Sequence, residues 1–294
     1  MGARLWPVNH FDGVTDLAVT PSAVSTYPIT NLQSNIRDRL WRSPNLDPQV
    51  ITFSFGGNGR YVSAWGGFPS GSASAMIGSK LRLELWTSAN RSGSAIYDSG
   101  TLDWFTFTNP LWAVFPWGAG PWGVESGDFT ARLAPCARHI SRVAVGSGRI
   151  TITNGGAVDK PYFEMRRFWL AEATEAPYAP GMGMSAAWRS GSEHQRAIGG
   201  ALRRLARAVR GTLSGQHREL RCEVALNSEA HRAAWFALSH AADPGAEIVF
   251  SPFDYTDGAR RFSEHLVMGS LEVLNPVIWE NYEFWKLQLA IAES

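Results

Sequence analysis

Along the first part of the chain, hydrophobic and polar positions alternate in short runs broken by Gly, Ser, Asn and Pro clusters, which is the pattern of a β protein. Val50-Ile51-Thr52-Phe53-Ser54-Phe55 alternates and stops at Gly56-Gly57-Asn58-Gly59, which reads as a turn. Leu81, Leu83 and Leu85 fall on one side of a strand, with Arg82, Glu84 and Trp86 on the other. Ile140 to Val145 and Arg149 to Thr153 read as a strand pair around Gly146-Ser147-Gly148, and Tyr162 to Leu170 closes the series. About seven or eight short strands before Glu172 predict a sandwich or jelly roll.

The texture changes after Ala176-Pro177-Tyr178-Ala179-Pro180-Gly181-Met182-Gly183, which reads as a linker. Arg203, Arg204, Arg207 and Arg210 sit among Leu202, Leu205 and Val209, a spacing that predicts an amphipathic helix. Glu219 to Leu226 alternates again as a strand. Ser228 then caps a helix through Trp235 and Phe236 to about His240, stopped by Asp243-Pro244-Gly245. Ile248-Val249-Phe250, Leu266 to Val273 and Phe284 to Ile291 are further strands, and Asp257-Gly258 supplies a hairpin turn. The fold class expected is mainly β: an N-terminal jelly-roll sandwich and a smaller C-terminal β-rich domain with one or two helices.

Composition adds limits. At 294 residues the chain is long enough for two domains with cores of their own, and 45% hydrophobic with 18% charged residues describes a soluble globular protein. A net charge of +1 gives no field that would draw nucleic acid or an anionic membrane. Met1 to Pro7 lacks the apolar core of a signal peptide, and no apolar run is long enough to span a bilayer. The two cysteines, Cys136 and Cys222, form no disulfide framework and are expected as reduced thiols.

Motifs for chemistry are missing. There is no G-x-x-x-x-G-K-[ST] loop and no G-x-S-x-G elbow, and Gly146-Ser147-Gly148 leads into a strand where a pyrophosphate would need a helix N-terminus. His231 and His240 are nine residues apart, not the four that put two ligands on one helix face. Ser192 and His194 read as part of a polar loop, and Asp254-x-x-Asp257-Gly258 lacks the alternating oxygens of a calcium loop. The reading is of a non-enzyme without metal or cofactor.

One stretch stands apart. From Trp104 to Val124 there is no charged side chain, and Trp104, Trp112, Phe115, Trp117 and Trp122 are interleaved with Pro110, Pro116 and Pro121. A segment this apolar must be covered. Its side chains either stack on sugar rings, fold back as core, or fill a pocket on a neighbouring subunit.

Short motifs give the chain a resemblance. Tyr27-Pro28-Ile29-Thr30-Asn31-Leu32 followed by Leu40-Trp41-Arg42-Ser43, then Ile96-Tyr97-Asp98-Ser99-Gly100, then Phe163 to Leu170, are similar to the galactose-binding-like jelly roll of two-domain tail-tip or distal-tail proteins of long-tailed bacteriophages. Arg218–Asn227, the helix after it, and the ending Trp285 to Glu293 look like that family's ring-forming domain. The resemblance implies a jelly roll over 1–175, a linker over 176–183 and a ring-forming domain over 184–294. It also implies strand, not helix, around Leu202–Val209. Phe55-Gly56-Gly57 departs from the family by lacking an acid. What the resemblance implies for function is a structural component of a phage tail tip or baseplate, in the virion and assembled in the bacterial cytoplasm. Its partners would be copies of itself in a homo-oligomeric ring and other tail proteins. The Trp-rich stretch would then be a protein-contact loop. The alternative is a carbohydrate-binding module for attachment to host glycan, with Trp112, Trp117 and Trp122 as stacking platforms. Neither reading involves nucleic-acid sequence recognition.

Overall fold

Ile150 lies directly between Ile51 and Leu83 on neighbouring strands, so three apolar side chains meet in one cross-strand row. Such rows are what the period-2 pattern encodes. The computed structural model describes residues 2–36, 39–57, 59–69, 76, 78–104, 135–156, 158, 160–178, 185–190, 192–196, 202–206, 216–241, 247–251, 266–274, 278–281 and 284–293. In it the chain divides into two units, His10–Ala171 and a second made of Met1–Asn9 with Glu172–Ser294.

Strand β1 (Arg4–Trp6) opens the chain. The His10–Ala171 unit then holds β2 (Asp16–Thr20), β3 (Trp41–Arg42), β4 (Gln49–Ser54), β5 (Arg60–Pro69), β6 (Ser79–Trp86), β7 (Tyr97–Asp98), β8 (Leu102–Asp103), β9 (Cys136–Val145), β10 (Ser147–Asn154) and β11 (Glu164–Ala171). They form a six-stranded sheet, β2-β4-β10-β6-β7 with β8 also on β6, and a four-stranded sheet, β3-β11-β5-β9. This is the two-sheet jelly-roll sandwich. Its core joins Ile51, Phe53, Leu81, Leu83, Leu85, Ile150 and Ile152 of the first sheet to Val62, Trp65, Met165, Phe168 and Leu170 of the second. Phe11, from a 3-10 turn at His10–Gly13, packs edge-on to both Phe53 and Phe168.

The strands on either side of Gly146 do not pair with each other. β9 lies on β5, and β10 lies between β4 and β6, so the chain changes sheet at this point. A Cβ on Gly146 would stand 2.2 Å from the Thr87 carbonyl oxygen. Close backbone approach explains the glycine, and the expected hairpin is replaced by a crossing between layers.

The second unit holds β12 (Thr174–Glu175), β13 (Ser185–Ser190), β14 (Ser192–Arg196), β15 (Leu202–Ala206), β16 (Gln216–Leu226), helix α1 (Glu229–Ala241), β17 (Glu247–Ser251), β18 (Val267–Leu274), β19 (Ile278–Asn281) and β20 (Phe284–Glu293). An eight-stranded antiparallel sheet runs β12-β1-β17-β18-β20-β16-β13, with β19 on β20. Leu5, Leu220, Cys222, Val224, Leu226, Ile248, Phe250, Val267, Leu289 and Ile291 form its core with Trp235 of α1. The Ser228 hydroxyl accepts the His231 N–H at 3.2 Å, the cap expected from the sequence.

Three expectations are corrected. The first nine residues do not belong with the jelly roll, because β1 pairs β12 on one side and β17 on the other. A three-residue strand gives no local sign of so distant a partner. Ala176 to Tyr178 is not free linker either: the Ala176 N–H donates to the Ala3 carbonyl at 2.7 Å, and the Ala3 N–H to the Tyr178 carbonyl at 3.1 Å. Finally, Leu202–Ala206 is a strand paired with Ser192–Arg196, so neither the helix nor the polar loop read around Ser192 and His194 is present. Non-local pairing overrides a 3.6-residue period that local spacing happened to match. Val209, Gly199-Gly200, Asp243-Pro244-Gly245 and Asp257-Gly258 lie outside the described residues.

Candidate functional site

The jelly roll has two unlike ends, and the register identifies them. At one end stand Ser54, Ser147, Trp86 and Asp16. At the other stand Gln49, Ile152, Leu81 and Thr20. The chain enters the unit at the first end, where Thr15 donates its N–H to the Ser54 carbonyl at 3.1 Å. It leaves along β11, which starts at the second end, with Met165 opposite Pro69, and runs away from it to Ala171 opposite Ala64. Both tethers therefore point away from the second end. That end collects the connections 21–28 and 43–48 and the described residues of 155–163, and Asp103, opposite Lys80, and Cys136, opposite Gly67, stand there too.

At this end Arg42 and Glu164 face each other across the β3–β11 ladder. The Arg42 Nε and Nη2 groups donate to Glu164 Oε2 at 3.0 and 2.5 Å. The Glu164 side chain is 2% exposed and that of Arg42 25%. The guanidinium carbon lies 4.1 Å from the Tyr27 ring centroid and 4.2 Å from that of Tyr162, within cation–π range of both. Partial burial opposes the Arg42 charge, but the hydrogen bond and charge of Glu164 outweigh it and hold the guanidinium above its ordinary pKa.

Ser43 fixes the backbone beside this group. Its hydroxyl accepts the Phe163 N–H at 2.8 Å and donates to the Asn45 carbonyl at 2.6 Å. Asn45 Nδ2 donates to Asp47 Oδ2 at 2.5 Å, and Gln49 Nε2 donates to Asn45 Oδ1 and to the Asp47 carbonyl at 3.2 and 2.7 Å. Trp41 Nε1 and Gln49 Oε1 are buried and have no hydrogen-bond partner among the described residues. Among the described residues no three His, Cys, Asp or Glu side chains gather as a metal site.

Of the residues singled out in the sequence, Trp104 is 2% exposed and belongs to the jelly-roll core. Its indole fills the space over Gly67, where a Cβ would stand 2.9 Å from Trp104 Cη2. Trp104 thus packs as core, one of the alternatives read for this stretch. Trp112, Phe115, Trp117 and Trp122 lie outside the described residues. The Tyr27–Arg42–Tyr162–Glu164 group went unnoticed as a site. Tyr27 and Arg42 stood in the opening motif, but nothing local joins them to residues 120 or more positions away.

No protein-family model matches the chain, and no curated protein matches it. Solved structures do. A family 32 carbohydrate-binding module from Clostridium perfringens, in complex with galactose, is 14% identical, covering 58% of this chain and 99% of its own, with a TM-score of 0.37. A second module from that organism, in complex with GalNAc-β-1,3-galactose, is 11% identical, covering 53% of this chain and 94% of its own, at 0.36. A chitosan-binding module from a Paenibacillus chitosanase/glucanase is 14% identical, covering 56% and 99%, at 0.37. These neighbours are carbohydrate-binding modules, and the tail-tip resemblance gains no support from them. At such identities and scores they carry no argument about what this chain binds.

Proposed function

We propose that the protein is a non-catalytic binding protein whose jelly-roll unit recognises glycan at the end remote from its tethers. The observation that supports this most is the polarity of the unit. The chain comes in beside Ser54 and leaves along a strand that starts at the opposite end, so the end holding Tyr27, Arg42 and Tyr162 is free of covalent connections to the second unit. Binding residues concentrate on loops positioned by a rigid scaffold, and this end has both the loops and a side-chain lattice that fixes them. A glycan array probed with the intact protein tests the reading: retention on a defined set of saccharides is expected, and binding to none would overturn it.

A second reading is a structural part of a phage tail tip. It rests on the opening and closing motifs, and on the placement of β1 within the second unit's sheet, which makes the jelly roll an insertion carried by a separate β body. In this reading the second unit builds a homo-oligomeric ring with other tail proteins as neighbours. Native mass measurement tests it: a closed ring is expected, and a monomer at assembly concentrations would count against it.

A further inference from the structure

On the six-stranded sheet, Arg82 pairs with Asp98 and Arg149 with Glu84, so that face is neutralised within itself. The Ser228–His231–Asn227 contacts are accounted for by the helix cap. Arg82 and Arg149 engage the same Nε and Nη2 donors as Arg42 does, but among the described residues neither lies against two aromatic rings. Arg42 does, with Tyr27 and Tyr162.

We propose that Tyr27, Arg42 and Tyr162 form the ligand contact of the jelly roll, and that it takes a neutral saccharide, not an acidic one; this rests on the glycan reading above. Three observations carry it. First, the Arg42 donors Nε and Nη2 are engaged by Glu164, while the two N–H groups of Nη1 meet no acceptor among the described residues. A partly exposed guanidinium edge is therefore left to donate outward. Second, the group is held before any ligand arrives. Arg42 and Glu164 are directly opposed in the ladder, and Ser43 ties the strand end to Phe163. Preorganised donors lose little freedom on binding. Third, the charge balance selects the ligand. Glu164, in direct contact and almost fully buried, cancels the Arg42 charge, so a ligand carboxylate finds no unbalanced cation there. A hydroxyl or ring oxygen still gains the Nη1 hydrogen bonds. The half-buried Tyr27 and Tyr162 rings then supply apolar surface for the C–H face of a sugar, as aromatic side chains with one polar end do.

The test uses the full chain and two immobilised probe sets, neutral hexose and N-acetylhexosamine oligosaccharides on one side and oligouronates on the other. Wild-type protein is expected to be retained by neutral probes. Tyr162→Ala, and Arg42→Lys, which keeps a cation beside Glu164 but removes Nη1, are each expected to weaken that binding about tenfold or more, the scale of one lost contact of this kind. Thermal melting of both variants checks that they fold. Neutral binding kept by both Tyr162→Ala and Arg42→Lys but lost in Trp117→Ala would overturn the site and leave the glycan reading standing. Retention on oligouronates alone would overturn the ligand class. Binding to neither probe set, with a folded wild type, would overturn the glycan reading itself.

Discussion

Both ends of the jelly roll carry backbone hydrogen bonds between loops, and the free end adds an ion-paired lattice of side chains. At the tethered end the Phe55 N–H donates to the Gly146 carbonyl at 2.9 Å, and the Gly146 N–H to the Trp86 carbonyl at 2.8 Å. Ser147 and Trp86 direct their side-chain donors to the carbonyls of Ser88 and Gly93. At the free end the Ser43 N–H donates to the Phe163 carbonyl at 3.0 Å and the Gly155 N–H to the Gly78 carbonyl at 2.8 Å, and Arg42, Glu164, Ser43, Asn45 and Gln49 add side-chain bonds. Backbone stitching leaves few groups over and tolerates little added volume. A side-chain lattice can hold its shape while keeping a partly exposed guanidinium such as that of Arg42 at the rim, which is the property a recognition surface requires.

Substitutions at the two ends probe that contrast. Arg42→Met should have the largest effect, because it strands the Glu164 carboxylate in a nearly dry position. A loss of about 3 kcal/mol is expected from urea unfolding; a loss below about 1 kcal/mol would mean the free end does not depend on this pair. Gly146→Ala attacks the tethered end and should cost about 2 kcal/mol by the same assay, since the new methyl meets backbone and not a side chain that can turn aside. Ser43→Ala removes a buried hydroxyl that both donates and accepts, and about 1–2 kcal/mol is expected. The smallest effect belongs to Arg82→Gln, on the solvated face of the six-stranded sheet, where only a small loss of stability at neutral pH is expected. The Arg82 hydrogen bond holds the Asp98 carboxyl below its ordinary pKa. Any stability Asp98 contributes is therefore present above the ordinary carboxylate pKa and lost as pH falls through the lowered value, so acid titration of wild type and Arg82→Gln should converge at low pH.

The two thiols give a further check on the packing. Burial pushes both Cys136 and Cys222 up to about 12. Neither should react with a thiol reagent in native protein at neutral pH, and both should react after unfolding. Fast labelling of native Cys136 would show that the β5–β9 pairing opens readily.

Much of the fold was legible because its strands alternate. The Leu81–Leu85 and Val50–Phe55 patterns predict β6 and β4 and the face each buries, and Ser228 predicts the start of α1. What was hidden depends on partners far along the chain. Nothing near Arg4 announces that β1 lies between β12 and β17, and the glycines around Ser147 look the same whether the chain turns back or changes sheet. Leu202, Leu205 and Val209 fit a helical period; the family resemblance implied a strand there, and Leu202–Ala206 pairs as one with Ser192–Arg196. The candidate site was illegible for the same reason. Composition directed attention to Trp104, which is core, while Arg42 and Glu164 are 122 positions apart and each looks ordinary alone.

The most direct measurement is a titration of one retained neutral oligosaccharide into three proteins: wild type, Tyr162→Ala at the free end and Asn90→Ala at the tethered end. The account predicts that wild type and Asn90→Ala bind alike and that Tyr162→Ala loses most of its affinity while melting as wild type does. Equal binding by all three, or loss confined to Asn90→Ala, would contradict it.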